Sequence, residues 1–478
     1  MIKSREFFEE LSTSFSHNST ACTEFCIFSE NFMDKNISYT PTDGLSYDPA
    51  EPKYWDKAGL RKEIERTFEI CHGCRMCFKF CDSFPSLFSF IDAHGGDVRK
   101  LTDSEIEKVM DDCFQCKLCE VQCPYTERDN HEFKLDFPKL VHRYKAIRAR
   151  EKGISLRDKV LGNPDRAGKL ARTLPVILAN TVNRNKLHRL FMEQVLGIHR
   201  DKLLPDFSGE TFEKWARKNG KIKTEGEVVL FQTCYVQHNE PQIGKDLVEV
   251  FEKNHVDIAC VEGLKCCGMP AWEHGDINSL QKQAHENIEK LLPFVRKGAK
   301  IIAINPTCAM MLRREYPTLV KIEDRENAKQ IADATMDPSE FLWSIRNEPR
   351  FNSDFKSSPG NKIAYHAPCH LRAQAIGFKG RDLLRKIPGV TISMTMECCG
   401  HDGTYAMKVE GFEASKRIGQ KAFDSMSQQK ADLWATECPL AALQFQQHTG
   451  IKPLHPISIL ARAYRENGFE DLKQGDKQ

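Results

Sequence analysis

The sequence predicts a chain of mixed α+β and α/β class: a helical module organised by two short cysteine runs, then two duplicated α/β units with small parallel sheets. Three observations predict it. Two runs of four closely spaced cysteines lie between Cys71 and Cys123. Further cysteines recur at matched intervals between Cys234 and Cys438. Short unbroken apolar runs alternate with amphipathic stretches through that second half. At 478 residues, with 40 % apolar and 28 % charged positions, the chain exceeds one growing core and should divide. The expected divisions are an N-terminal extension over 1–60, the cysteine-run module over 61–138, a basic helical linker over 139–224, and the duplicated units over 225–350 and 351–478.

Met1 to Thr20 carries Lys3, Arg5, Glu9 and Glu10 without an apolar block, so it does not read as a secretory leader. Nineteen cysteines then point to a reducing, cytoplasmic setting, where thiols stay free for metal and redox work. The longest apolar stretch, Leu174 to Val182, is about half of what a bilayer span requires.

In the module, Cys71, Cys74, Cys77 and Cys81 read C-x2-C-x2-C-x3-C, and Cys113, Cys116, Cys119 and Cys123 repeat it. This is the spacing of bacterial two-cluster ferredoxins. Three thiolates two residues apart can wrap one face of a cubane, while the fourth, entering a helix, faces the other cluster. Cys71, Cys74, Cys77 and Cys123 are therefore assigned to one [4Fe-4S] cluster, and Cys113, Cys116, Cys119 and Cys81 to a second. Zinc is the competing reading, but it uses separated knuckles with a long insert that neither run contains. Asp82 follows the first run where Pro124 follows the second, which should alter that helix start.

The net charge of +2 hides an uneven distribution. From Lys139 to Lys223 there are 21 Lys and Arg against 8 Asp and Glu, an excess of 13 positive charges on a mildly acidic body. Asn185 to Arg200 carries Leu187, Leu190, Phe191, Val195 and Ile198 near one helical face. Such a helix lies on an anionic membrane or acidic partner, or packs on a core with its basic residues solvated. Nucleic acid is not expected, because no aromatic platform or reader motif accompanies the charge.

The duplicated half spells the same grammar twice. VVLFQTC ends at Cys234, CCG follows at Cys266 and Cys267, and IIAINPTC ends at Cys308; IAYHAPC ends at Cys369, CCG follows at Cys398 and Cys399, and LWATECP closes after Cys438. The gaps are 31 and 40 residues in one copy and 28 and 38 in the other. Cys234, Cys308, Cys369 and Cys438 all fall at predicted strand exits, where ligands of parallel sheets collect and helix N-termini offer N–H groups to anions. Gly268 and Gly400 suit the sharp turn that lets paired cysteines face one centre.

These stretches, with CPYTERDNHEFKLDFPKLVHRYKAIRA, RDKVLGNPDRAGKLA, LGIHRDKLLPDF, QTCYVQHNEPQIGKDLV and CCGHDGTYAMK, resemble the CCG-domain iron-sulfur electron-transfer subunits. Among these are the iron-sulfur subunits of anaerobic glycerol-3-phosphate dehydrogenases and, more distantly, their counterparts in heterodisulfide reductases. The resemblance implies a further iron-sulfur centre in each CCG unit, a flavoprotein dehydrogenase partner, and quinone or another acceptor. The fuller family pattern ends in C-x-x-C, but here Met311 and Ala441 stand at the final positions. A five-thiolate site therefore cannot be built from one copy. The remaining four could hold an ordinary cluster, hold zinc, work as a dithiol or bind nothing.

His238, His366, His370 and His401 flank these cysteines, and the simpler reading makes them polar loop caps near the surface. Cys22 and Cys26 lack a cluster's other ligands, and Cys260 reads as a small core residue. Neither G-x-G-x-x-G after a strand nor G-x-x-x-x-G-K-[ST] occurs, so no flavin or nucleotide site of its own is expected. The expectation is a cytoplasmic electron-transfer subunit, peripheral on the inner membrane, with no catalytic residues assigned. Its alternative is a stand-alone oxidoreductase of the heterodisulfide reductase kind.

Overall fold

The computed structural model describes residues 37–41, 47–173 and 175–474; Cys22 and Cys26 lie outside them. The first module is helical. Helix α1 (Lys57–Cys74) starts where Asp56 accepts from Ala58 N and Gly59 N, and stops where Arg75 turns to φ 53°. Helix α2 (Ser83–Ala93) follows the first cysteine run, and α3 (Asp103–Asp111) opens with a capping box between Thr102 and Glu105. The short α4 (Leu118–Gln122) lies within the second run, and α5 (Phe137–Lys152) follows it. Phe68, Phe84, Leu87, Ile91, Val109 and Leu140 fill the space between them. One sequence expectation fails here. Cys81 leads into α2 despite Asp82, but Cys123 ends α4 and is followed by a turn and a 3-10 turn at Glu127–Asp129. Pro124 lacks the N–H that would continue that helix, and Leu135 N donates to Tyr125 O instead, folding the segment back.

The basic segment holds the rest of α5, then the helices Leu156–Leu161, Pro164–Leu170, Val176–Arg184 and Lys186–Leu196, and later Phe212–Lys218. Helix Lys186–Leu196 ends at Gly197 with φ 60°, short of the expected Arg200.

The second half contains two parallel sheets. Strands β1 (Val228–Phe231), β2 (Ile258–Cys260), β3 (Lys300–Ala303) and β4 (Thr335–Met336) lie in the order β2-β1-β3-β4, with Val229 opposite both Ala259 and Ile301. Strands β5 (Lys362–His366), β6 (Thr391–Thr395) and β7 (Leu433–Thr436) repeat the first three as β6-β5-β7. The place of β4 is taken by a single parallel bridge from Leu454 to Ala435. Asp337 caps the helix Pro338–Ser344 after β4, and His455 Nδ1 caps Pro456–Ala463 at the matching point. The repeat is thus structural, as its cysteine intervals predict.

The two units clasp each other reciprocally. Helix Pro241–Lys253 of the first packs on Pro456–Ala463 of the second, while Lys379–Leu384 of the second packs on Pro338–Ser344 of the first. Phe251, Phe341, Leu384 and Leu460 belong to one continuous core. Burial at about 25 cal/mol per Å² makes that shared core the main force holding the units together.

Candidate metal centres

The cysteine runs form tight loops because residues between the thiols adopt left-handed φ: Arg75 at 53°, Gln115 at 60° and Lys117 at 59°. Such turns aim successive N–H groups into a concavity, and Gln115 N donates to Cys113 Sγ at 3.4 Å. Cys71, Cys74, Cys77 and Cys123 together line a void of about 30 Å³ closed by Phe84 and Tyr125. The thiol of Cys81 lies within electrostatic range of Cys113 and Cys116, and that of Cys119 senses Cys116, Cys113, Cys77 and Cys81. The fourth cysteine of each run therefore sits with the other run's trio. Burial, then the neighbouring thiols, pushes Cys77 up to about 12 and Cys119 well above its usual value.

In the first CCG unit, Cys234 sits on the helix Thr233–His238 just past β1, and Cys308 on Pro306–Met310 just past β3. Thr233 holds φ 71°, a conformation costly for a β-branched residue. Gly268 (φ 88°) turns the chain after Cys266 and Cys267, where a Cβ would collide with Leu280. The four sulfurs form a hydrogen-bonded row, Cys234 to Cys266 to Cys267 to Cys308. Thiol donation from Cys234 and Cys267 brings Cys266 well below its usual range and raises the two donors. Asp165 of the basic segment closes this group, its carboxylate accepting from Cys266 N at 2.7 Å. Met311, at the altered final position, is buried in the apolar core.

The second unit repeats this with Cys369 at the start of Cys369–Ala373 and Cys438 capping Pro439–Thr449. Gly400 (φ 75°) turns after Cys398 and Cys399, and a Cβ there would meet the Ser415 carbonyl. Burial, then the charge of Cys438, pushes Cys399 to about 12; burial takes Cys438 to about 11, against hydrogen bonds from the Ala441 and Leu440 backbone and with the charges of Asp402 and Cys308 adding to it. One cavity of about 180 Å³ is lined by all eight cysteines of the two units. Its wall includes His366, His370, His401 and Asp402.

Those histidines correct the expectation of surface caps, since His238, His366, His370 and His401 are 5, 1, 2 and 3 % exposed. His370 bonds Thr307 Oγ1 through Nδ1 and Gln115 O through Nε2, linking both CCG units to the second cysteine loop. His366 bonds Thr436 Oγ1 and Glu397 O. Burial holds both rings neutral, down to about 4. Cys260 lies in the core on β2, as expected.

The cysteine-rich CCG domain matches this chain twice, at residues 228–313 and 363–446. The C component of the anaerobic glycerol-3-phosphate dehydrogenase of Escherichia coli (strain K12) is 32% identical over 313 residues, covering 65% of this chain and 77% of that protein. The chain belongs to this CCG family. Lactate utilization protein A 2 of Bacillus cereus (strain AH820) is 30% identical over 190 residues, 38% of this CCG protein and 75% of its own length. Lactate utilization protein A 1 of Bacillus anthracis (strain CDC 684 / NRRL 3495) matches to the same extent. Among the described residues no helix is long and apolar enough to cross a membrane.

The donor set suits a sulfur-ligated, cationic centre. Sixteen cysteines gather in four groups of four, and a bound metal would reverse the cost of ionising buried thiols. Soft thiolates favour iron-sulfur clusters or zinc over hard cations. Sequence reasoning missed Asp165 and Gln115 as supports of these groups. The quoted stretch RDKVLGNPDRAGKLA contains Asp165, yet nothing local in it points at a cysteine 101 residues away.

Proposed function

We propose that this chain is an iron-sulfur electron-transfer subunit, passing electrons one at a time from a flavoprotein dehydrogenase to quinone or another acceptor. Cys71, Cys74, Cys77 and Cys123 hold one [4Fe-4S] cluster, and Cys113, Cys116, Cys119 and Cys81 hold the second. Cys369, Cys398, Cys399 and Cys438 hold a further iron-sulfur centre, as do Cys234, Cys266, Cys267 and Cys308. When bound, each centre supplies one-electron redox chemistry at a potential tuned by charge and hydrogen bonding.

The carrying observation is the order of the four cysteine groups in space. Cys77 of the first lies in range of Cys119 of the second; Cys81 and Cys116 of the second lie in range of Cys398; and Cys438 lies in range of Cys308. The protein's own contribution is to fix this row, exclude water from it and keep the adjoining histidines neutral. Glycerol-3-phosphate is the first candidate for the partner's substrate, on the name of the relative. No flavin of the chain's own is part of the reading.

The proposal includes a peripheral position on the cytoplasmic face of the inner membrane. Leu187, Phe191 and Val195 are 79, 58 and 56 % exposed, as is Ile177 at 83 %, within the segment richest in Lys and Arg. That combination matches an anionic lipid surface.

Anaerobic purification with iron analysis and low-temperature EPR tests the reading. Iron near eight atoms per chain indicates the first two clusters, clearly more indicates occupied CCG units, and a colourless protein with free thiols overturns it. A second reading, a stand-alone oxidoreductase acting on a disulfide-like substrate, is favoured by the single cavity that all eight CCG cysteines line. Turnover of such a substrate without any partner protein would select it.

A further inference from the structure

A groove of about 640 Å³ runs along the flank of the cysteine row, with Cys398 in its wall. Phe80 and Leu118, which also line it, are each the chain neighbour of a cysteine of the second group, Cys81 and Cys119. Two of the four groups therefore reach this groove, one through Cys398 itself and one through residues adjoining its cysteines.

The groove is cationic with apolar contacts. Lys79, Arg372, Arg417 and Lys421 line it against a single acid, Glu397. Arg417 pairs with Asp82 and Arg372 donates to Met396 O, whereas Lys79 and Lys421 form no ion pair among the described residues. Met396 in its wall is 51 % exposed, and Met76 and Phe78, beside Lys79, are 46 and 61 % exposed. Gln122, another lining residue, donates to Met76 O and so fixes that loop to the rim. Exposed large side chains inside a charged rim are the ingredients of a transient electron-transfer interface, which is small and steered by charge.

We propose that this groove is the port where the reduced donor protein docks, through an acidic face that carries its redox group near the edge. The inference rests on the electron-transfer reading above. No bond forms or breaks on transfer: the donor loses one electron and an iron-sulfur centre of this chain gains it. Charge complementarity selects an acidic donor, because Lys79 and Lys421 offer cations that no carboxylate pairs among the described residues.

Two readouts on the intact, iron-loaded protein test this. Fluorescence anisotropy with a fluorescein-labelled glutamate decapeptide should report binding that weakens roughly tenfold or more as salt rises to about 0.3 M. Binding should be lost in Lys79→Glu/Lys421→Glu and in Lys421→Glu alone, which lies outside every cysteine loop. In stopped flow, oxidation of the dithionite-reduced protein by ferricyanide should slow about tenfold in the double variant, while oxidation by the cationic tris(phenanthroline)cobalt(III) accelerates. Unchanged peptide binding, or equal rates in parent and variants with both oxidants, would overturn the port. Absence of iron from the parent would instead sink the electron-transfer reading, and peptide binding still reports on the groove separately.

Discussion

Lys117, inside the second cysteine loop, and Glu315, in the first CCG unit, form an ion pair with side chains only 1 and 4 % exposed. The ammonium also lies 5.4 Å from the ring centre of Trp272. Glu315 ends a single π-helical turn, Met311–Glu315, a distortion that places its carboxylate opposite the loop. Burial alone would raise this carboxyl, yet Lys117, together with His142 and Lys139, outweighs burial and holds it below its ordinary value. Removing one partner leaves a buried charge, so Glu315→Gln should cost about 3–5 kcal/mol in chemical denaturation. Because the folded value is depressed, the pair's contribution is present above the unfolded carboxyl value, about 4.3, and is lost as pH falls below it. A variant as stable as the parent at neutral pH would show the pair to be idle.

Asp337 gives the opposite sign. Burial drives it up to about 7, with Glu437, itself raised to about 8 by burial, nearby. Both acids are most compatible with the folded state when protonated. Stability from this group is full below the unfolded value near 4 and is lost as pH rises toward 7. Asp337→Asn, which keeps the helix cap, should match the parent at pH 4 and exceed it by on the order of 2–4 kcal/mol near pH 8. Parallel stability profiles for the two proteins would refute this.

Cross-ligation makes a paired forecast. Cys123→Ser should remove the centre of Cys71, Cys74 and Cys77, and Cys81→Ser that of Cys113, Cys116 and Cys119, each with the loss of roughly four iron atoms. EPR of the two variants should retain different signals. Identical residual spectra would mean that each run ligates its own cluster.

Gly400→Ala should be harsher than an ordinary glycine substitution. The position needs a left-handed φ, and a Cβ has the Ser415 backbone carbonyl in its way. A loss of about 1–3 kcal/mol is expected, together with less metal in the second CCG unit and unchanged metal in the first two clusters. Normal metal content and stability would remove any special role for that turn.

Replacing Leu187, Phe191 and Val195 together by Asp should abolish flotation with vesicles rich in anionic lipid. High salt should release the parent only partly, since buried apolar contact is not screened. Equal flotation of both proteins would exclude this face as the lipid contact.

Local patterns were readable and distant partnerships were not. The cysteine runs and the strands β1, β3, β5 and β7 could be placed because their signals lie within a few residues. The matched intervals predicted the duplication, but the sheet order β2-β1-β3, repeated as β6-β5-β7, could not be read, because strand pairing is set by contacts far apart in the chain. The burial of His370 could not be read, because its partners Thr307 and Gln115 come from two other parts of the chain. Periodicity around Phe191 correctly marked a helix, but periodicity cannot say whether an apolar face meets protein or solvent. The turn after Cys123 escaped because spacing alone carries no information on what Pro124 interrupts.

The reciprocal clasp of the CCG units relates two near-equal halves, yet their surroundings differ. Both halves meet the cysteine-run module, the second through Cys398 and the first through Glu315 and Arg314, and the first is also closed by Asp165. Duplication alone would produce two interchangeable halves. Unequal neighbours make the twins inequivalent, so a ligand or partner meeting one half finds a different surface from the one it meets on the other.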